Sequence, residues 1–223
     1  MHQRKGKKIL IYFFLLCLFG SITNIDFNKL KIPSISDIKV LGLGYENNLI
    51  LLENIKKLKL DNIFYINDKD LKNIINSNSL VENYQIFKRY PSTIDIKIEK
   101  TKFLARINHN KKIFLVGSNG KLSKNNFYDD QLPFIFGKPA IEEFLNFKSI
   151  IDKSKLSYQD IKNLYFFSSK RWDLELKNNV LIKLSKNHIE DSLDLASEFL
   201  NNKNFEGVKI IDTRIKDQII LNG

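Results

Sequence analysis

Cysteine is almost absent from this chain of 223 residues; there is one, Cys17. A disulfide framework is therefore excluded, and any folded part must be held by its own hydrophobic core. With that cysteine and three histidines, His2, His109 and His188, no Cys/His metal-ligand spacing exists. Catalytic signatures are missing too. No Gly-x-Ser-x-Gly elbow occurs. Gly117-Ser118-Asn119-Gly120 lacks the Lys-Ser/Thr of a phosphate loop and reads as a turn. His188-Ile189-Glu190-Asp191 reads as a helix start whose acids favour the helix dipole. The chain is thus expected to be no enzyme, and to take no cofactor, metal or small-molecule substrate. A clustered basic stripe is also absent. The net charge is +11, but the cations are scattered, often as single lysines between Asn and Ile. A nucleic-acid partner is therefore not expected; the surplus reads as a general bias toward Lys, Asn and Ile, with mild attraction to anionic head groups as the alternative. There is no internal repeat and no long low-complexity tract.

What is present begins with Ile9–Ile25, ILIYFFLLCLFGSITNI, a run without charge. It stands at the short end of what spans a bilayer core as a helix. Arg4, Lys5, Lys7 and Lys8 precede it, with no acid among them. Basic residues at that end hold it in the cytoplasm, which puts everything after Asp26 across the membrane. A cleaved signal peptide has the same basic start and apolar middle. Gly20 and Ser21 are small, but Ile22, Asn24 and Ile25 do not complete an Ala-x-Ala-like site. The expectation is an uncleaved anchor: residues 1–8 a cytoplasmic tail, 9–25 a transmembrane helix and 26–35 a linker containing Pro33.

The rest is ordinary globular material, 43% hydrophobic and 27% charged, so disorder is not the default. Ile38–Leu41 reads as a short strand closed by Gly42 and Gly44. Leu51, Ile55 and Leu58 fall at helical spacing within 48–60. Asn62–Ile66 is an extended link. Asn67 and Asp70 then form a helix start, with Ile66 and Leu71 as its hydrophobic staple. Val81–Tyr90 reads as a strand, Pro91-Ser92 as a turn, and Ile94–Glu99 alternates strictly, apolar in and charged out. Residues 36–107 thus give strand, helix, helix, strand, strand: two helices on one face of a three-stranded sheet.

Residues 108–223 change character. Strands are expected at 105–108, 113–116, 132–136, 161–168, 171–176, 180–184, 208–212 and 215–222, with helices at 140–152 and 188–201. Asn178-Asn179 suits a tight hairpin. Trp172 is the only tryptophan and is expected to pack in this domain. For Arg171 and Arg214 two readings stand open: pairing with an internal acid, Asp212 or Asp173 being the candidates, or a surface contact with a partner. The fold class is therefore α+β: a transmembrane helix, a βααββ module and a mainly β domain with two helices.

This order resembles the bacterial cell-division family FtsQ, called DivIB in Gram-positive bacteria, whose module is POTRA-like. Ile38-Lys39-Val40-Leu41-Gly42 resembles the family's Ile-x-Val-x-Gly opening, and Asn62-Ile63-Phe64 its Asn-Ile-Phe link. Lys88-Arg89-Tyr90-Pro91-Ser92-Thr93-Ile94-Asp95-Ile96-Lys97-Ile98-Glu99 resembles its Arg-x-Tyr-Pro hairpin. Further likenesses are Val116–Gly120, Arg171-Trp172-Asp173-Leu174 and Asp212-Thr213-Arg214. Two departures stand out: Lys100–Lys102 carries no proline, and Asn179 replaces a usual glycine.

The resemblance implies a non-enzymatic scaffold of the divisome, linking early and late division proteins at the septum through periplasmic contacts. It implies a single-pass protein of the inner membrane with a cytoplasmic N-terminus. FtsB and FtsL are the implied partners. The last strand, if it leaves an open sheet edge, is where a partner strand would add. Arg214, Ile215, Gln218, Ile219, Ile220 and Leu221 are its candidate contacts. The alternative is a POTRA-type chaperone or transport module serving outer-membrane protein assembly or secretion by strand addition.

Overall fold

A computed structural model describes residues 3–22, 33–58, 60–64, 66–124, 131–200, 207–216 and 218–222. Residues 23–25 of the expected anchor, most of the expected linker, Asn201 and Asp217 lie outside them.

The first element is a helix, α1, Gln3–Ile22. It takes in most of the expected tail as well as the apolar run. Its large apolar side chains from Ile9 to Phe19 are exposed on every side. Among the described residues, no helix is long and apolar enough to cross a membrane.

The next unit follows the expected order: β1 (Asp37–Leu41), α2 (Tyr45–Lys56), α3 (Asp68–Ser77), β2 (Val81–Arg89) and β3 (Thr93–Lys100). The sheet order is β1-β3-β2, with β1 parallel and β2 antiparallel to the central strand. Each helix contributes an i, i+4 pair to the core, Leu51 with Ile55 and Leu71 with Ile75. Ile94, Ile96 and Ile98 meet them from β3. Burial of each such side chain contributes roughly 1.5–3 kcal/mol. The start of α3 is as read: Asn67 Oδ1 accepts from Lys69 N at 3.1 Å, and its Nδ2 donates to Asp70 Oδ2 at 2.7 Å. One residue breaks the alternation of β3. Asp95 is buried, opposite Phe87 on one side and Lys39 on the other, and takes Arg89 as an ion-pair partner at 2.6 Å.

The second unit is one nine-stranded sheet in the order β12-β11-β10-β9-β8-β7-β4-β5-β6. Its elements are β4 (Phe103–His109), β5 (Lys112–Gly117), β6 (Leu122–Lys124), β7 (Phe134–Phe136), α4 (Ile141–Lys153), β8 (Ile161–Phe166), β9 (Trp172–Leu176), β10 (Leu181–Leu184), α5 (Ile189–Leu200), β11 (Ile210–Thr213) and β12 (Ile220–Asn222). The expected division between 107 and 108 would cut β4. The two sheets separate instead at Thr101-Lys102, because the hydrogen bonds of β4 run to β5 and β7.

Three connections differ from a succession of hairpins, the first being that β7 follows β6 in the chain but pairs, parallel, with β4. β7 and β8 are parallel, joined across α4, and β10 and β11 are parallel, joined across α5. A parallel pair needs a crossover, and a helix supplies it. Both helices cover the same core. Phe144, Phe147 and Ile151 of α4 and Leu193 and Ala196 of α5 bury against Leu164, Leu174, Ile182 and Leu184. Trp172 packs there as expected, stacked on Phe147 with ring centroids 4.6 Å apart.

Side chains also join the two sheets. Glu82 accepts hydrogen bonds from the hydroxyls of Thr101 and Ser118, each at 2.8 Å. Asn119 Nδ2 donates to the carbonyls of Ser79 and Val81. The Gly117–Gly120 turn is therefore an anchoring turn rather than an open loop.

Candidate docking edge

β12 is the terminal strand of the large sheet, antiparallel to β11. It is much shorter than the strand expected over 215–222. Ile215 lies in a bend, and the backbone N–H of Gln218 turns back to the carbonyl of Ile215 at 3.3 Å. Only Ile220–Asn222 pair with β11.

The period of two decides which residues look outward. Ile211 and Leu221 are opposite each other and face the core. Asp212 and Ile220 are opposite each other on the outer face. That face carries a row in direct register across the sheet: Phe136, Tyr165, Asp173, Lys183, Asp212, Ile220. The row ends at the edge with an exposed isoleucine.

The same period explains the two Arg/Asp stretches. In Arg171-Trp172-Asp173, residues 171 and 173 share the outer face while Trp172 points into the core. Arg171 Nε and Nη2 donate to Asp173 Oδ1 and Oδ2 at 3.0 and 3.1 Å. In Asp212-Thr213-Arg214 the arrangement repeats, with Arg214 Nε on Asp212 Oδ1 at 2.9 Å and Nη2 on Oδ2 at 2.6 Å. Thr213 points inward and donates to the Lys183 carbonyl at 3.0 Å. Each acid is nearly buried while its arginine is more open. The Arg214 guanidinium holds the Asp212 carboxyl below the usual carboxylate range. Further along the face, burial and the Glu175 carboxylate push the Tyr165 phenol up to about 12. Asn163 and then Tyr165 hold Glu175 low by hydrogen bonding to it.

The six candidate contacts therefore divide. Ile220, Ile215, Gln218 and Arg214 are exposed. Ile219 and Leu221 are half-buried and pack on the core. Lys183, which sequence reasoning passed over, belongs to the outer row; the alternation of Val180, Ile182 and Leu184 was the signal that placed it there.

His109 is exposed and edge-on to Phe114, and His188 stands 3.9 Å from Asp191. What the edge has to offer is backbone and surface: a short strand whose outer N–H and C=O groups are unpaired within the sheet.

Comparison with known proteins gives two family-model matches. POTRA domain, FtsQ-type, covers residues 34–100. Cell division protein FtsQ/DivIB, C-terminal, covers residues 105–214.

The chain belongs to the FtsQ/DivIB family.

It is similar to cell division protein FtsQ of Rickettsia bellii, 26% identical over 80% of this chain and 72% of that protein. It is also similar to cell division protein DivIB of Clostridium acetobutylicum, 33% identical over 42% of this chain and 38% of that one. Among solved structures it is similar to the major extracytoplasmic domain of DivIB from Geobacillus stearothermophilus, at 12% identity and a TM-score of 0.34, covering 47% of this chain and 99% of that one. Membership makes this a cell-division protein with a place in the divisome. The FtsQ/DivIB match ends at Arg214, so Ile215–Leu221 stand beyond it.

Proposed function

We propose that the protein is a membrane-anchored, non-enzymatic scaffold that links early and late divisome proteins through periplasmic contacts, and that the β11–β12 edge takes the FtsB–FtsL pair. The observation that carries the second part is the position of β12. It ends the sheet, and it presents Ile220 outward beside the Asp212–Arg214 pair. Strand addition supplies main-chain affinity, and the exposed side chains supply selectivity.

Anchoring is supported by α1. Ten large apolar side chains between Ile9 and Phe19 are exposed, more than water tolerates on a lone helix. The uncharged part of the helix, 9–22, measures about 21 Å, short of the roughly 30 Å bilayer core. The aliphatic stems of Lys7 and Lys8 lengthen the apolar span while their ammonium groups reach the head groups. With the basic end cytoplasmic, the two sheets lie in the periplasm, and the protein concentrates at the septum with its partners.

The test is co-purification of FtsB and FtsL with the full chain and with Ile220→Glu from dividing cells. Loss of both partners with the variant, at unchanged membrane level, is the expected result. Undiminished capture overturns the docking edge. Live-cell imaging tests the rest: a mid-cell band and filamentation on depletion are expected. An even envelope signal with normal division, and loss of outer-membrane proteins, would favour the chaperone reading instead.

A further inference from the structure

The first sheet has a tip at which three segments meet. Ser34 bridges Asn62, and Ile35 N donates to the Asp61 carbonyl at 3.1 Å. Ser36 N donates to the Ser92 carbonyl at 2.9 Å, and the two serine hydroxyls are 2.9 Å apart. The strand that follows α1 in the chain is thus tied to the 61–64 turn and to the β2–β3 turn at once.

Two aromatic rings stand on that tip. Ile63 is fully buried, and the Asn62 side chain accepts from Phe64 N at 3.1 Å. The turn so fixed sends Phe64 outward. It meets Tyr90 of the β2–β3 turn with ring centroids 5.1 Å apart, yet the two remain 59% and 63% exposed. Their contact with each other does not account for what they leave in water.

Residues 23–32 lie between α1 and this tip. A chain of that length reaches at most about 36 Å even fully extended. The tip therefore stays near whatever surface α1 ends in. A tyrosine ring, with its apolar body and hydroxyl, partitions to the head-group level of a bilayer, and an apolar phenylalanine ring beside it enters the boundary with the acyl chains. The charges around them, Lys88 with Asp68 and Arg89 with Asp95, are paired off, so attraction rests on the rings rather than on net charge.

We infer that Phe64 and Tyr90 form a membrane-docking tip that seats the POTRA-like module on the lipid interface from which α1 emerges. This rests on the anchored reading above. Docking would fix the module's tilt and hold the distant β12 edge at a set height above the bilayer.

The test uses the full chain in vesicles of phosphatidylethanolamine and phosphatidylglycerol, with part of the acyl chains brominated near the head group. Phe64→Trp places an indole on the tip, while Trp172, buried in the large core, supplies a constant background. Phe136→Trp, on the outer face of the large sheet, is the distant control, and Tyr12→Trp reports on α1. We expect bromolipid to quench the added emission about twofold at position 64, to quench position 12 and to spare position 136. Adding Tyr90→Ser to Phe64→Trp should cut the quenching at 64. Quenching at 12 with none at 64 overturns the docking tip and leaves the anchor standing. No quenching at 12 overturns the anchor itself, and the tip with it. A benzophenone side chain in place of Tyr90 that cross-links a protein rather than lipid in dividing cells also overturns it.

Discussion

Trp172 lies flat on Phe147, with planes 7° from parallel, and its cross-strand neighbour Phe166 meets it at 4.7 Å with a 50° tilt. The stack joins β9 to α4, so it holds a crossover helix to the middle of the large sheet. Trp172→Ala should destabilise the domain by about 3–5 kcal/mol, the usual range for emptying a large aromatic site. Trp172→Phe should recover most of that. Denaturant unfolding followed by circular dichroism measures both, and the wild-type chain should show its tryptophan emission shift to the red over the same transition.

Gly42 closes the Ile38–Gly42 stretch for a reason of space. Its φ is 120°, and a Cβ there would overlap the Ile98 carbonyl on the neighbouring strand. Gly44 has a φ of 88° but open space around it. Its ψ of 161° puts it in an extended positive-φ region that side chains avoid, so Gly44→Ala should cost only that backbone strain, about 1–3 kcal/mol. Gly42→Ala must also push β1 off β3 and should cost clearly more. Melting temperatures of the two variants, compared side by side, check the order.

Asn119 holds the two sheets together through two carbonyls, Ser79 at 2.9 Å and Val81 at 2.8 Å. Asn119→Ala takes its amide from both carbonyls and leaves Ser79 only the longer bond from the Ser123 hydroxyl at 3.4 Å, a loss on the order of 1–3 kcal/mol confined to the joint. Hydrogen exchange should quicken at 79–82 and 117–121 while amides of β9 keep their protection. Equal loss in β9 would mean the turn supports the whole domain rather than the joint.

The pair Asp212–Arg214 gives a pH dependence with a definite sign. The folded carboxyl titrates below its ordinary value of 3.8 because Arg214 donates to it. Its stabilising contribution is present above the unfolded value and is lost as pH falls through the folded one. Arg214→Gln should accordingly be less stable than wild type at neutral pH. The gap should close as pH drops below about 4, and thermal melts across pH 3 to 7 read it directly.

Much of this was written locally in the chain. The Asn67 cap, the inward Trp172 and the Arg/Asp pairs follow from spacings of two, three or four residues, which backbone geometry converts into a shared face. The parallel joins of β7 with β8 and of β10 with β11 were not legible, because their register is set across a crossover helix by packing. The buried Asp95 broke a clean alternation for a similar reason: its position between Phe87 and Lys39 belongs to neighbouring strands. The shortness of β12 was hidden as well. Ile215–Leu221 has strand composition, but the bend at Ile215 leaves few residues to pair.

That shortness sharpens the test of the edge. Ile219 and Ile220 look interchangeable in the sequence, yet Ile219 packs on the core and Ile220 is 55% exposed. Ile220→Lys removes an apolar contact from the outer row and adds a cation beside Arg214, while leaving the core untouched. It should reduce partner capture about tenfold or more, the cost of about 1.4 kcal/mol at a contact of this kind, with no measurable change in melting temperature. Leu221→Lys breaks the packing on Ile211 and should lower the melting temperature by several degrees. If Ile220→Lys binds as well as wild type while Leu221→Lys loses both fold and partner, the edge matters only as structure. If Ile220→Lys alone separates binding from stability, the partner reads the outer face of β12.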